Sequence, residues 1–133
     1  MTLIFDGDAP GRKAAMRSTE MFLARGLECR VALLPEGKDV DDILHEGGNE
    51  MLDPILENGP DGLAYCLDTA NKDYSPVERL KWAKEFIRGL ESLEMLSYYP
   101  SRIATGLGVS EAELRQTLNI RKPGNRRRNV QDS

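Results

Sequence analysis

Cysteine is scarce in this chain: Cys29 and Cys66 stand far apart, with no second pair and no Cys-x-x-Cys. Neither a disulfide scaffold nor a thiolate zinc site is indicated, and reduced thiols point to a cytoplasmic protein. Histidine is scarcer still. His45 lies between Leu44 and Glu46 with no second His or Cys nearby, so the spacing of a zinc site is missing. No apolar run nears the ~18 residues that cross a bilayer, and Met1 leads into a strand pattern rather than a charged-then-apolar leader, so no membrane partner is expected. An even surface charge is lacking too. The net charge of -4 averages a strongly acidic stretch from Glu36 to Asp61 with a basic end at Arg121, Lys122, Arg126, Arg127 and Arg128.

What is present is ordinary in bulk: 133 residues, 40% hydrophobic and 30% charged, enough for one moderate core. The information is concentrated at the start. Leu3-Ile4-Phe5 is a short apolar run of the kind buried on both faces of a sheet, and it delivers Asp6 and Asp8 to the strand's carboxyl end, where open α/β sheets place ligands. Two apart, the two acids point to one side in extended geometry, with Gly7 allowing a bend between them. Such closely spaced carboxylates repel unless a cation neutralises them, and hard oxygen donors with open water positions suit Mg²⁺ or Mn²⁺. The competing reading is a solvated turn leading to a helix N-cap. Gly11 followed by Arg12 and Lys13 favours the ligand reading, because cations in a first helical turn oppose the helix dipole and suit an anionic ligand.

Arg12 to Arg25 is expected to be a helix stopped by Gly26, with Ala15, Phe22 and Leu23 near its inner face. Cys29 to Leu34 is a second β-rich run ended by Pro35, which makes a right-handed βαβ unit with parallel strands. The second strand's carboxyl end carries Asp39 and Asp41, so another acid pair falls at the same sheet edge. Short helices follow at Val40–Glu46, closed by Gly47-Gly48, at Glu50–Glu57, and at Leu63–Ala70. Ser75-Pro76-Val77-Glu78 is a capping box opening a long helix to about Leu90, with Leu80, Ala83, Ile87 and Leu90 as its core face and Trp82 and Phe86 flanking as core packing. Leu93–Tyr99 continues as a linker or short helix up to a break at Pro100, and Ser101–Leu107 and Ser110–Leu118 are two short helices. The last two have helix-turn-helix proportions. Glu111 and Glu113 against only Arg115 disfavour DNA reading and favour a packed αα-hairpin.

The two acidic loops together resemble the bacterial DNA primases of the DnaG type. Phe5-Asp6-Gly7-Asp8-x-x-Gly11-x-x-Ala14-Ala15 is similar to that family's Asp-x-Asp motif. Leu34-Pro35-Glu36-Gly37-Lys38-Asp39-Val40-Asp41-Asp42 is similar to its second metal-proximal loop, with Val40 where the family often has Pro. Leu107-Gly108-Val109-Ser110-Glu111 is similar to part of the terminal helical pair. The resemblance covers Thr2 to about Asn119. It implies an α/β fold class: a partial Toprim-type parallel sheet (βαβ) in 1–60 with the acidic loops, an α-helical bundle subdomain in 61–119, and a flexible basic linker in 120–133. A strand carrying the family's Toprim glutamate, the zinc-binding module and the basic amino-terminal subdomain have no counterpart, so the chain is expected to be a fragment, inactive alone.

In function the resemblance implies synthesis of short RNA primers on single-stranded DNA during replication, by metal-dependent nucleotidyl transfer. Asp6, Asp8, Asp39 and Asp41 would hold Mg²⁺ or Mn²⁺, none of them acting as nucleophile, while Arg12, Lys13 and Lys38 would contact phosphate or template. Zinc would belong only to the module absent from this chain. Expected partners are a single-stranded DNA template, nucleoside triphosphates, and a replicative helicase reached through a region beyond this chain. Two alternatives stand beside this reading. One is a Toprim nuclease or topoisomerase piece, which needs a nucleophilic Tyr near the acids, whereas Tyr65, Tyr74, Tyr98 and Tyr99 all fall in the helical half. The other is a non-catalytic module that docks replisome proteins through its helices and basic end.

Overall fold

The computed structural model describes residues 1–121, with side chains described to Leu118, so the expected basic linker lies outside the described residues except for its first two positions. The element order is β1 (Thr2–Phe5), α1 (Ala9–Ala24), β2 (Arg30–Leu33), α2 (Val40–Glu57), α3 (Gly62–Asp73), α4 (Pro76–Arg88), α5 (Leu93–Leu107) and α6 (Glu111–Arg121). This is an α/β chain, mostly helical. Two compact units divide it: Met1–Leu23 with Leu27–Thr69, and Ala24–Gly26 with the described residues from Ala70.

In the first unit β1 and β2 pair in parallel, Thr2 opposite Arg30 through Phe5 opposite Leu33, with α1 as the crossover. The run expected to be buried on both faces is β2 rather than β1. Val31 and Ala32 are 1% exposed, whereas Ile4 in β1 is 41% exposed. The reason is position in the sheet. The far edge of β2 is covered by residues 59–61: Val31 donates to the Pro60 carbonyl, Arg30 bridges to Asp61, and a Cβ on Gly59 would sit 2.4 Å from the Val31 carbonyl oxygen. β1 has no strand on its other side among the described residues.

Helix α1 begins at Ala9, three residues before the expected start. Pro10 is tolerated there because the first helical N–H groups have no intrahelical partner anyway. Its buried face is Ala15, Met16, Thr19 and Leu23, with Phe22 only half-buried. The expected pair of helices at 40–57 forms as read, two helical segments of α2 divided at Gly48, whose φ of +63° and ψ of -155° are not helical. Leu34 packs with Ile43 and Leu52, and Val40, Met51, Ile55 and Leu56 surround them. The residue that follows β2 and the two halves of α2 thereby share one apolar cluster.

The second unit is a three-helix packing of α4, α5 and α6. The Ser75 box forms as read: Ser75 Oγ accepts from the Glu78 N–H at 3.2 Å, and Glu78 returns a bond to the Ser75 N–H at 2.8 Å. Trp82, Ala83, Phe86 and Ile87 are buried, so Trp82 and Phe86 belong to the core face rather than its flank, while Leu80 is half-buried. Trp82 stacks on Phe86 at 5.4 Å, and Tyr99 of α5 meets Phe86 edge-on at 5.5 Å. α5 runs through Pro100 without the expected break. Proline costs the Leu96 carbonyl its usual helical donor, but Leu96, Tyr99, Pro100, Ile103, Ala104 and Leu107 are all buried and hold both halves in line. Gly108 at φ +70° ends α5, and α6 packs on α4 and α5 with Leu114 and Thr117 buried, the packed hairpin of the two readings.

Candidate metal centre

Parallel pairing brings two chain exits to one rim. Phe5 is opposite Leu33, and Leu34 donates its N–H to the Phe5 carbonyl at 2.9 Å. The Asp6-Gly7-Asp8 turn then lies against the chain leaving β2, where a Cβ on Gly7 would fall 2.2 Å from the Leu34 carbonyl oxygen and 3.3 Å from the Glu36 nitrogen. Only hydrogen fits there. Gly11 is as confined, since its Cβ would sit 2.1 Å from the Asp6 carbonyl oxygen.

Each loop commits one of its paired aspartates to starting a helix. Asp8 Oδ1 accepts from the Gly11 N–H at 2.7 Å and the Asp8 carbonyl from the Arg12 N–H at 2.9 Å, the bonds of an N-cap for α1. Asp39 caps α2 through a reciprocal box with Asp42, at 2.8 and 3.0 Å. The solvated-turn reading of Asp-Gly-Asp was thus right about the cap at Asp8. Among the described residues, Asp6 and Asp41 have no protein partner, and Asp8 and Asp39 each keep one oxygen without one. Asp41 lies in the first turn of α2, where the dipole favours a negative charge.

The basic residues are used differently from one another. Arg12 Nη1 donates to the Gly7 carbonyl at 2.6 Å, and the Tyr65 hydroxyl donates to the Arg12 carbonyl at 3.2 Å. Lys38 Nζ pairs with Glu46 at 2.5 Å across the start of α2. Lys13 is exposed. Sequence reasoning missed the Asp39–Asp42 box, although its spacing of three was visible, and it missed the Arg12 contact, for which no short-range signal exists.

Chemically, the donors at this rim are hard carboxylate oxygens. Among the described residues no three His, Cys, Asp or Glu side chains gather as a ready cage for an ion. Mg²⁺ does not require one: it keeps several waters and binds through one or two carboxylates plus substrate phosphates, a set that Asp6 and Asp8 fit. Burial pushes both the Cys29 and Cys66 thiols up, which disfavours their thiolate forms. No helix among the described residues is long and apolar enough to cross a membrane.

Comparison with known proteins places the chain beside one group of enzymes. Residues 1–44 match the Toprim-like family. The DNA primase of Chlamydia muridarum is 31% identical over 123 residues, 88% of this chain and 20% of that protein. In structure, a DNA primase domain from Pseudomonas aeruginosa superposes with a TM-score of 0.68 at 24% identity, covering 89% of this chain and 40% of that one. A DnaG primase catalytic domain bound to ssDNA gives 0.68 at 20% identity, over 84% and 38%. The chain spans between 12% and 22% of the length of the curated relatives compared with it. By sequence over most of its length, and by fold, the chain is similar to bacterial DNA primases, with a Toprim-like stretch in its first 44 residues.

Proposed function

We propose that this chain supplies the acidic rim and the following helices of a primase core that joins ribonucleotides into short RNA primers on a single-stranded DNA template. In this reading residues 1–60 form the partial Toprim domain, 61–119 the helical subdomain and 120–133 a basic linker. The observation that carries it is the meeting of the Asp6-Gly7-Asp8 turn with the exit of β2 at one sheet edge, in a chain whose relatives are primases. Asp6, exposed and without a protein partner among the described residues, and the uncommitted oxygen of Asp8 are the first ligands, with Asp41 and Asp39 behind them. A bound Mg²⁺ or Mn²⁺ would neutralise triphosphate charge and orient it for in-line transfer. Lys13, exposed on α1, is a phosphate or template contact in this reading. Lys38 takes that role only by leaving Glu46, and Arg12 only by leaving Gly7. The single-stranded DNA on the DnaG catalytic domain named above supports the template, and nucleoside triphosphates follow from the reaction. A replicative helicase would be met through a region beyond this chain.

Calorimetric titration with Mn²⁺ tests the reading. The 133-residue chain should bind saturably, and Asp6→Ala and Asp8→Ala should weaken binding while circular dichroism keeps the helical signal. Equal binding by both variants would remove the metal assignment.

A further inference from the structure

Arg12 stands where a cation is unwelcome, in the first turn of α1, and it has two carboxylates nearby in sequence with which to pair. It pairs with neither. Its guanidinium donates instead to the carbonyl of Gly7, the residue between them, at 2.6 Å, and no described cation is bonded to Asp6 or Asp8. Its own carbonyl receives the hydroxyl of Tyr65, a buried residue of α3, at 3.2 Å. The turn is therefore held at three points: Gly7 against the backbone of Leu34, Asp8 in its bond to the Gly11 N–H, and the Gly7 carbonyl under Arg12.

From this geometry we infer that Arg12 is a positioning residue for the acidic turn, with Tyr65 as its anchor, and not a contact for phosphate or template. The guanidinium fixes the peptide between the two aspartates and leaves their oxygens to a divalent cation. The inference rests on the assignment of Asp6 and Asp8 as ligands proposed above, and it separates from a purely electrostatic role by sign. A nearby positive charge repels Mn²⁺, so removing a mere charge tightens binding. Removing a clamp loosens it, because the ligands must then be ordered at the moment of binding.

The test combines Mn²⁺ titration, read by the electron-spin-resonance signal of free Mn²⁺, with backbone amide order parameters at Gly7 and Asp8 in the full chain. Arg12→Ala should weaken Mn²⁺ binding about fivefold and lower both order parameters from the rigid range, near about 0.85. Arg12→Gln, which keeps a donor without the charge, should recover most of the affinity. Tyr65→Phe should show a smaller loss in the same direction. Unchanged order parameters in Arg12→Ala, or Mn²⁺ binding as tight as or tighter than in the parent, overturn the clamp. Arg12→Ala that weakens Mg·ATP binding while the turn stays rigid overturns it in favour of a phosphate contact. If the parent chain binds no Mn²⁺, the metal assignment fails by itself, and the order parameters alone decide whether Arg12 holds the turn.

Discussion

The two acidic loops read alike in sequence, a short strand followed by glycine and paired aspartates, yet they are built by opposite means. The turn at 6–12 is shaped by close backbone approach: Gly7 and Gly11 each sit where a methyl group would collide with a carbonyl oxygen. The loop at 35–42 is open. A Cβ on Gly37 would meet nothing within 4 Å, and order comes from the Asp39–Asp42 box and the exposed Lys38–Glu46 pair. Steric confinement fixes a backbone to fractions of an ångström, while caps and surface ion pairs fix only where a helix starts. The ranking of Asp6 and Asp8 above Asp39 and Asp41 gains a physical reason from this difference.

The same substitution applied to both loops gives the widest separation. Gly11→Ala should destabilise the chain by about 3 kcal/mol or more in urea unfolding, since the new methyl meets fixed backbone rather than a pliable side chain. Gly37→Ala meets no atom and bears only the left-handed backbone cost at φ +85°, about 1 kcal/mol. Comparable losses would mean that the two loops are not different in kind. Next, Asp39→Ala should cost about 1 kcal/mol by removing the α2 cap, with helical circular dichroism reporting fraying at that start. Smaller still, Lys38→Met should cost about 0.5 kcal/mol or less, and 0.5 M salt should erase the difference, because both partners are more than a third exposed.

The smallest effect lies outside both loops, in the corresponding box at Ser75. Glu78 is held below its ordinary value of 4.5, first by the Ser75 backbone N–H and then by its hydroxyl. A depressed folded-state pKa means stability present above 4.5 and lost as pH falls through the lower folded value. Glu78→Gln should flatten that acid limb in a pH series of melting temperatures, and an unchanged slope would show the bond to be idle.

Local signals carried much of this fold. The Ser75-Pro76-Val77-Glu78 box, Gly26 as a stop and the parallel pairing of two β-rich runs were legible because each depends on a few adjacent residues. Burial was not. Leu3-Ile4-Phe5 looks more apolar than Arg30-Val31-Ala32-Leu33, yet β2 is the covered strand, since cover comes from residues 59–61, far along the chain. Pro100 misled for the same reason, because its local rule yields to apolar packing on both sides. At the rim, residue types and spacing pointed to Asp6 and Asp8, but the Arg12–Gly7 and Tyr65–Arg12 bonds span five and 53 positions with nothing in the pattern to announce them.

Among the described residues no strand covers the outer margin of β1, and this has a practical consequence. Its outward N–H and C=O groups, beside the exposed Ile4, form a template on which any extended peptide can lay down another row of bonds. Preparations of this chain should therefore self-associate with rising concentration despite a net charge of -4, and a short β-forming peptide supplied in excess should cap the margin and return the monomer.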